Sequence, residues 1–203
     1  MVDVETTGFT PDLERIVEVG VVVLDPSGHE VASFCTLVDP GCDPGPTHVH
    51  GISSEMLVGA PSFGAIHPYL AGLLSGRVVV GHNIDQFDLG FMRAECRRLG
   101  GEVLVPGSIP SIDTLVVAQH HLGLAGRARL FECCDRYGLS WDDHHSALGD
   151  ARVTGALLRA MRTELGDGAL GVADLLSVAH RSAWPGASGV RPMVWGRAGS
   201  LTG

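Results

Sequence analysis

Within its first eight residues the chain places two carboxylates, Asp3 and Glu5, one residue apart among valines, in a run that closes on Thr6-Thr7-Gly8. On an extended strand residues i and i+2 share a face, so both acids project to one side while Val2 and Val4 face the other. Two unit charges ~4 Å apart repel by about 4 kcal/mol at an effective dielectric near 20. An adjacent, partly buried pair of this kind is normally neutralised by a proton or a metal. Any fold for this chain has to supply what completes that face. A solvated Asp and Glu near a terminus would make no such demand, so the weight of the pair depends on what else the chain delivers to it.

The chain of 203 residues, 45 % hydrophobic and 18 % charged, fits one ordinary domain plus a modest extension and excludes wholesale disorder. No apolar run approaches the ~18 residues of a membrane span, and the first thirty residues lack a basic stretch followed by an apolar one. These features predict a soluble, cytoplasmic protein with no membrane partner. Five cysteines form no C-x-x-C pair, and Cys133 and Cys134 are adjacent, so they read as reduced thiols. The net charge is −9 and all 14 basic residues are arginine. With no global basic field, a phosphate-bearing partner has to be held by local arginines or by metal.

Taken in order, the valine-rich segment Arg15 to Asp25, the turn Pro26-Ser27-Gly28 and the run Glu30 to Val38 predict a β-hairpin continuing from the opening strand. A Pro- and Gly-rich loop, 41–46, leads to a short helix expected from Ser53 or Ser54. A helix is predicted from Pro61 through Leu74, then a buried strand Val78-Val79-Val80 running into His82-Asn83. Apolar residues at helical spacing, Phe87, Phe91, Ala94 and Leu99, predict the next helix, with Asp88 at its start where the helix dipole favours an anion. Further helices are expected over about Ser111 to Leu122, Arg127 to Tyr137 and Ala147 to Leu165, the last carrying Asp150 in its first turn after a loop containing His145. The result is an α/β layered domain that delivers carboxylates from its first strand, a middle helix and a late helix. Scattered acids converging on one place suit two-metal phosphoryl transfer, in which hard oxygen ligands hold Mg²⁺ or Mn²⁺.

Three motifs in order resemble those of the DEDDh 3'-5' exonucleases, the group of the DNA polymerase III epsilon proofreading subunit, ribonuclease T and oligoribonuclease. They are Asp3-Val4-Glu5-Thr6-Thr7-Gly8, then His82-Asn83 through Phe87-Asp88-Leu89-Gly90-Phe91, then His145-Ser146-Ala147-Leu148-Gly149-Asp150-Ala151. His50-Gly51-Ile52 and Ile112-Asp113-Thr114 add support. The resemblance covers residues 1 to about 165 and implies a ribonuclease H-like three-layer fold, with a mixed β-sheet flanked by helices. It also implies two divalent ions, Mg²⁺ or Mn²⁺, and hydrolytic release of nucleotides from the 3' ends of single-stranded DNA or RNA, with a DNA polymerase or repair partner in prospect. Carried over residue by residue, Asp3, Glu5, Asp88 and Asp150 are metal ligands and His145 is the general base, chosen over His144 because Ala147, Leu148 and Asp150 stand at the required offsets only from His145. Thr6, Thr7 and Phe9 would line the pocket of the terminal nucleotide. The alternative function is a non-catalytic accessory module associated with a polymerase.

Several of these residues also have plainer readings. His50, His82 and Asn83 read as loop-shaping residues, Asp113 as a helix-start or packing residue, and Arg93, Arg97 and Arg98 as a solvated helix face. The chain departs from the family pattern twice. Three residues, Ile84, Asp85 and Gln86, separate Asn83 from Phe87 where the family has two, so either the loop bulges around Asp88 or Asp85 takes part. The first strand has only Met1 and Val2 ahead of Asp3, from which we expect the natural protein to begin several residues upstream. Residues 166–203 are read as a C-terminal extension, with one helix from Gly171 to His180 followed by an irregular Gly/Pro/Ser-rich stretch carrying Trp184, Arg191 and Trp195.

Overall fold

The computed structural model describes residues 1–100, 109–121, 128–141 and 145–166. Residues 167–203 of the C-terminal extension, including the helix expected from Gly171 to His180, and the rival His144 lie outside the described residues. The opening acids fall on β1 (Val2–Thr6), which pairs antiparallel with β2 (Ile16–Leu24), and β2 pairs antiparallel with β3 (Glu30–Leu37). The β2–β3 turn forms where Pro26-Ser27-Gly28 predicted it, with the Gly28 amide donating to the Asp25 carbonyl and Gly28 at φ 89°. β4 (Val79–Gly81) lies beside β1 and pairs in parallel with β5 (Ser111–Asp113) through the crossover helix α3 (Asp88–Arg98).

Strand alternation sorts the layers. Val2, Val4, Val19 and Val21 bury themselves with Phe63, Ile66 and Leu70 of α2 (Phe63–Leu74) and with Leu89, Phe91 and Met92 of α3. Asp3 stands opposite Gly20, on the other face, and there the N-terminus of α6 (Ala147–Leu165) rests on the sheet. A Cβ at Gly20 would lie 2.3 Å from the carbonyl carbon of Ala147, so only glycine admits the helix this closely. The far half of α6, Leu157 and Met161, packs with Val117 and Ala118 of α4 (Thr114–His121) and Cys133 of α5 (Leu130–Tyr137). Among the described residues no helix is long and apolar enough to cross a membrane.

Two local expectations are corrected. The short helix sits at α1 (Thr47–His50), not at Ser53 or Ser54. After Ser53 the chain makes successive four-residue turns, the Met56 and Leu57 amides donating to the Ser53 and Ser54 carbonyls, and the Ser53 hydroxyl donates to Glu55. Ser111 to Asp113 is strand, where a helix was expected: parallel pairing with β4 overrides local propensity. The helix begins only at Thr114, after Asp113 takes the Leu115 amide in a cap-like bond.

Candidate active site

The two acids of β1 and Asp150 of α6 converge as the strand and helix periods dictate. One carboxylate oxygen from each of Asp3, Glu5 and Asp150 lies within 4.8 Å of the others. Three features hold the helix over the strand. Gly20 lets α6 touch the sheet opposite Asp3. The buried Glu18, opposite Glu5 on β2, accepts the Ala147 amide at 2.9 Å through one oxygen and the Cys35 thiol at 3.5 Å through the other. Ser146 caps the helix by accepting the Gly149 amide at 3.1 Å. Asp150 in turn accepts a 2.7 Å hydrogen bond from the indole N–H of Trp141.

Asp88 reaches the same region from α3 in a different posture. Its Oδ1 accepts the Val4 amide at 2.9 Å, capping a backbone donor in the middle of β1, and it stands next to the three-acid group with 2 % of its surface exposed. Around the additional residue of the preceding loop, Asn83 adopts φ 64° and the Leu89 amide reaches back five residues to the Ile84 carbonyl at 2.9 Å. The loop therefore bulges, and Asp85 is left outside, exposed and hydrogen-bonded by the Ser111 hydroxyl.

The acids crowd one another where water is scarce. Burial, then the charges of Asp88, Asp150, Glu5 and Glu18, push Asp3 well above the usual carboxylate range. Burial, followed by Asp150, Glu18 and Asp88, raises Glu5 to about 8. Asp88 is also pushed up to about 8, burial outweighing the backbone N–H groups that pull it down. Protons or cations are the two ways to relieve such a cluster. Its donors are all carboxylate oxygens, the hard set that divalent magnesium or manganese prefers, so the residues present fit a divalent metal.

His145 stands exposed just before the α6 cap at φ 63°, its ring 5.9 Å from the ring of Trp141. Thr6 and Thr7 are buried: the Thr6 hydroxyl donates to the Gly8 carbonyl, while the Thr7 hydroxyl donates to Glu14 and accepts the Arg15 amide. Phe9 is 83 % exposed, on a loop clamped to α3 by the Arg97–Asp12 ion pair and by Arg98 donating to the Pro11 and Asp12 carbonyls. Arg97 and Arg98 lie exposed on α3, as the reading as a solvated face expects, and each also has a defined partner. His50 bridges the Ile52 amide and the Pro44 carbonyl, and His82 bridges Thr114 and the Ala128 carbonyl, so both shape loops as read. Sequence reasoning missed Glu18 and Trp141. Glu18 was signalled only as an acid inside a valine strand, and nothing local marks Trp141.

The family model for exonucleases of the RNase T type matches residues 1–158, and the chain belongs to that family. Its sequence is 34 % identical over 166 residues to the DNA polymerase III subunit epsilon of Treponema pallidum, covering 78 % of this chain and 74 % of that one. It is 33 % identical over 156 residues to the PolC-type DNA polymerase III of Thermotoga maritima, 76 % of this chain but 11 % of the relative, so the chain spans about a tenth of the PolC-type relatives it matches. Among solved structures, exonuclease X in complex with 5' overhanging duplex DNA superposes with TM-score 0.64 at 24 % identity, covering 86 % of this chain and 96 % of that one. Escherichia coli exonuclease I in complex with a dT13 oligonucleotide superposes with TM-score 0.71 at 18 % identity, covering 81 % and 40 %. The fold is ribonuclease H-like, with helices flanking a sheet region that combines antiparallel and parallel pairings.

Proposed function

We propose that this domain is a 3'-5' exonuclease that hydrolyses nucleotides from single-stranded ends of DNA, or of RNA, with Asp3, Glu5, Asp88 and Asp150 holding two Mg²⁺ or Mn²⁺ ions. The observation that carries the reading is the convergence of Asp3, Glu5 and Asp150 within 4.8 Å on one face, with Asp88 alongside, inside a chain of the exonuclease family. When bound, divalent cations supply stabilisation of the negative charge that develops on the attacking and leaving oxygens of an in-line displacement. His145, exposed in the loop just before the α6 cap, takes the proton from the attacking water. Ser146 and the Glu18–Ala147 bond keep its loop attached to the helix that carries Asp150, so base and acid move as one body. Phe9, presented by its clamped loop, would lie against the terminal nucleotide, with the Thr6 and Thr7 backbone beside it. The relatives named for DNA polymerase III support a polymerase or repair assembly as the partner.

The test is digestion of single-stranded DNA and RNA labelled at either end, with and without Mn²⁺, by the wild type and by Asp3→Asn. Mononucleotides released from the 3' end, only with metal and not by the variant, are expected. Intact substrate that is nevertheless retained by the protein would favour the accessory binding module instead.

A further inference from the structure

We infer that Trp141 is a positioning residue of this site, orienting Asp150 for metal through its indole N–H and bracing His145 with its ring. The inference rests on the metal-binding reading of the cluster above. Trp141 lies nine positions before Asp150, outside the motifs by which the chain resembles its family, yet two contacts tie it to the site. Its N–H donates to Asp150 Oδ1 at 2.7 Å. Its ring meets that of His145 at a centroid distance of 5.9 Å and an interplanar angle of 56°. On α5 it stacks with Phe131, at a centroid distance of 6.1 Å and an interplanar angle of 8°. The indole is thus held by α5 and acts on both groups that the late motif supplies.

The chemistry suits this task. Indole nitrogen only donates, so it cannot take the ion for itself, and a donor on a carboxylate oxygen fixes the carboxylate plane without removing its charge. A lysine or arginine in the same place would neutralise Asp150 and compete with the cation. Asp150 sits on the first turn of a helix whose docking depends on the bare backbone of Gly20, and the indole N–H fixes the direction of one of its carboxylate oxygens. Outer partners of metal ligands of this kind are worth roughly 10–100-fold in affinity or activity.

The test uses the full chain with Mn²⁺ alone as the probe, its half-saturation read from the rise in melting temperature and from quenching of tryptophan emission. Trp141→Phe keeps an aromatic ring and loses the donor. It should require about 10-fold more Mn²⁺ or higher for half-saturation, and the quenchable part of the emission should vanish with it. Wild-type half-saturation in Trp141→Phe overturns the inference while leaving the metal site standing. Absence of any Mn²⁺ response in the wild type, matched by Asp3→Asn, overturns both. Should Trp141→Phe fail to fold, the wild-type chain decides. Its Trp141 indole N–H resonance, assigned by elimination with Trp184→Phe and Trp195→Phe, should move on titration with Mg²⁺, and a resonance that stays put overturns the inference.

Discussion

At the scale of single residues the site separates charge from shape. Asp88 holds the Val4 amide through an oxygen that asparagine also has, so Asp88→Asn should keep the fold and lose only the charge. We expect it to lower turnover by more than the ~10–100-fold that removal of an outer partner costs, while Asp85→Asn, on an acid bound to Ser111 outside the cluster, keeps most activity. Steady-state rates on a labelled oligonucleotide check this, and the reverse order would move the assignment to Asp85. His145→Ala removes a proton acceptor but no metal ligand. Its rate should fall by about 10² to 10⁴-fold, with the Mn²⁺-induced rise in melting temperature preserved. A variant that turns over at the wild-type rate would remove His145 from the mechanism.

At the scale of elements the assembly depends on one glycine. Gly20 has no turn to make; it faces the first residues of α6 across the sheet. Gly20→Ala puts a methyl group into the Ala147 peptide, an overpacking that typically costs about 1–3 kcal/mol and lifts Asp150 away from Asp3. The melting temperature should drop by several degrees, and metal half-saturation should rise with it. An unchanged affinity for Mn²⁺ would mean that the helix is positioned by other contacts. Much of this element structure was legible in the sequence. The valine alternation of β1 and β2, the Pro-Ser-Gly turn and the 3.6-residue periods of α3 and α6 are local signals, and local signals carry Asp3, Glu5, Asp88, His145 and Asp150. The unread parts have non-local causes. Ser111 to Asp113 becomes strand only because β4 offers it a parallel partner. Glu18 matters because hairpin register places it opposite Glu5, and Trp141 because tertiary packing brings an indole to a carboxylate nine residues away.

At the scale of the molecule the acids make the fold's stability depend on proton and ion concentration. Glu5 and Asp88 keep their protons up to about 8 in the folded chain, whereas carboxyls in an unfolded chain release theirs near pH ~4. Between those values the folded state binds more protons than the unfolded one, so without metal stability should fall as pH rises from ~5 to ~8. A cation takes the deprotonated form, so the rise in melting temperature with Mn²⁺ should be smallest near pH 5 and largest at or above pH 8. Thermal denaturation across that range checks both trends, and a metal increment independent of pH would contradict them. The repelling acids are carried by separate bodies, β1 and the docked end of α6, so their repulsion acts along the seam between those bodies. In the ion-free chain that seam should be where the native state breathes first, ahead of any global unfolding. Mg²⁺ should then slow amide hydrogen exchange over Ala147–Ala151 and leave the β2–β3 hairpin as it was, making the domain a particle whose local opening reports whether its site is filled.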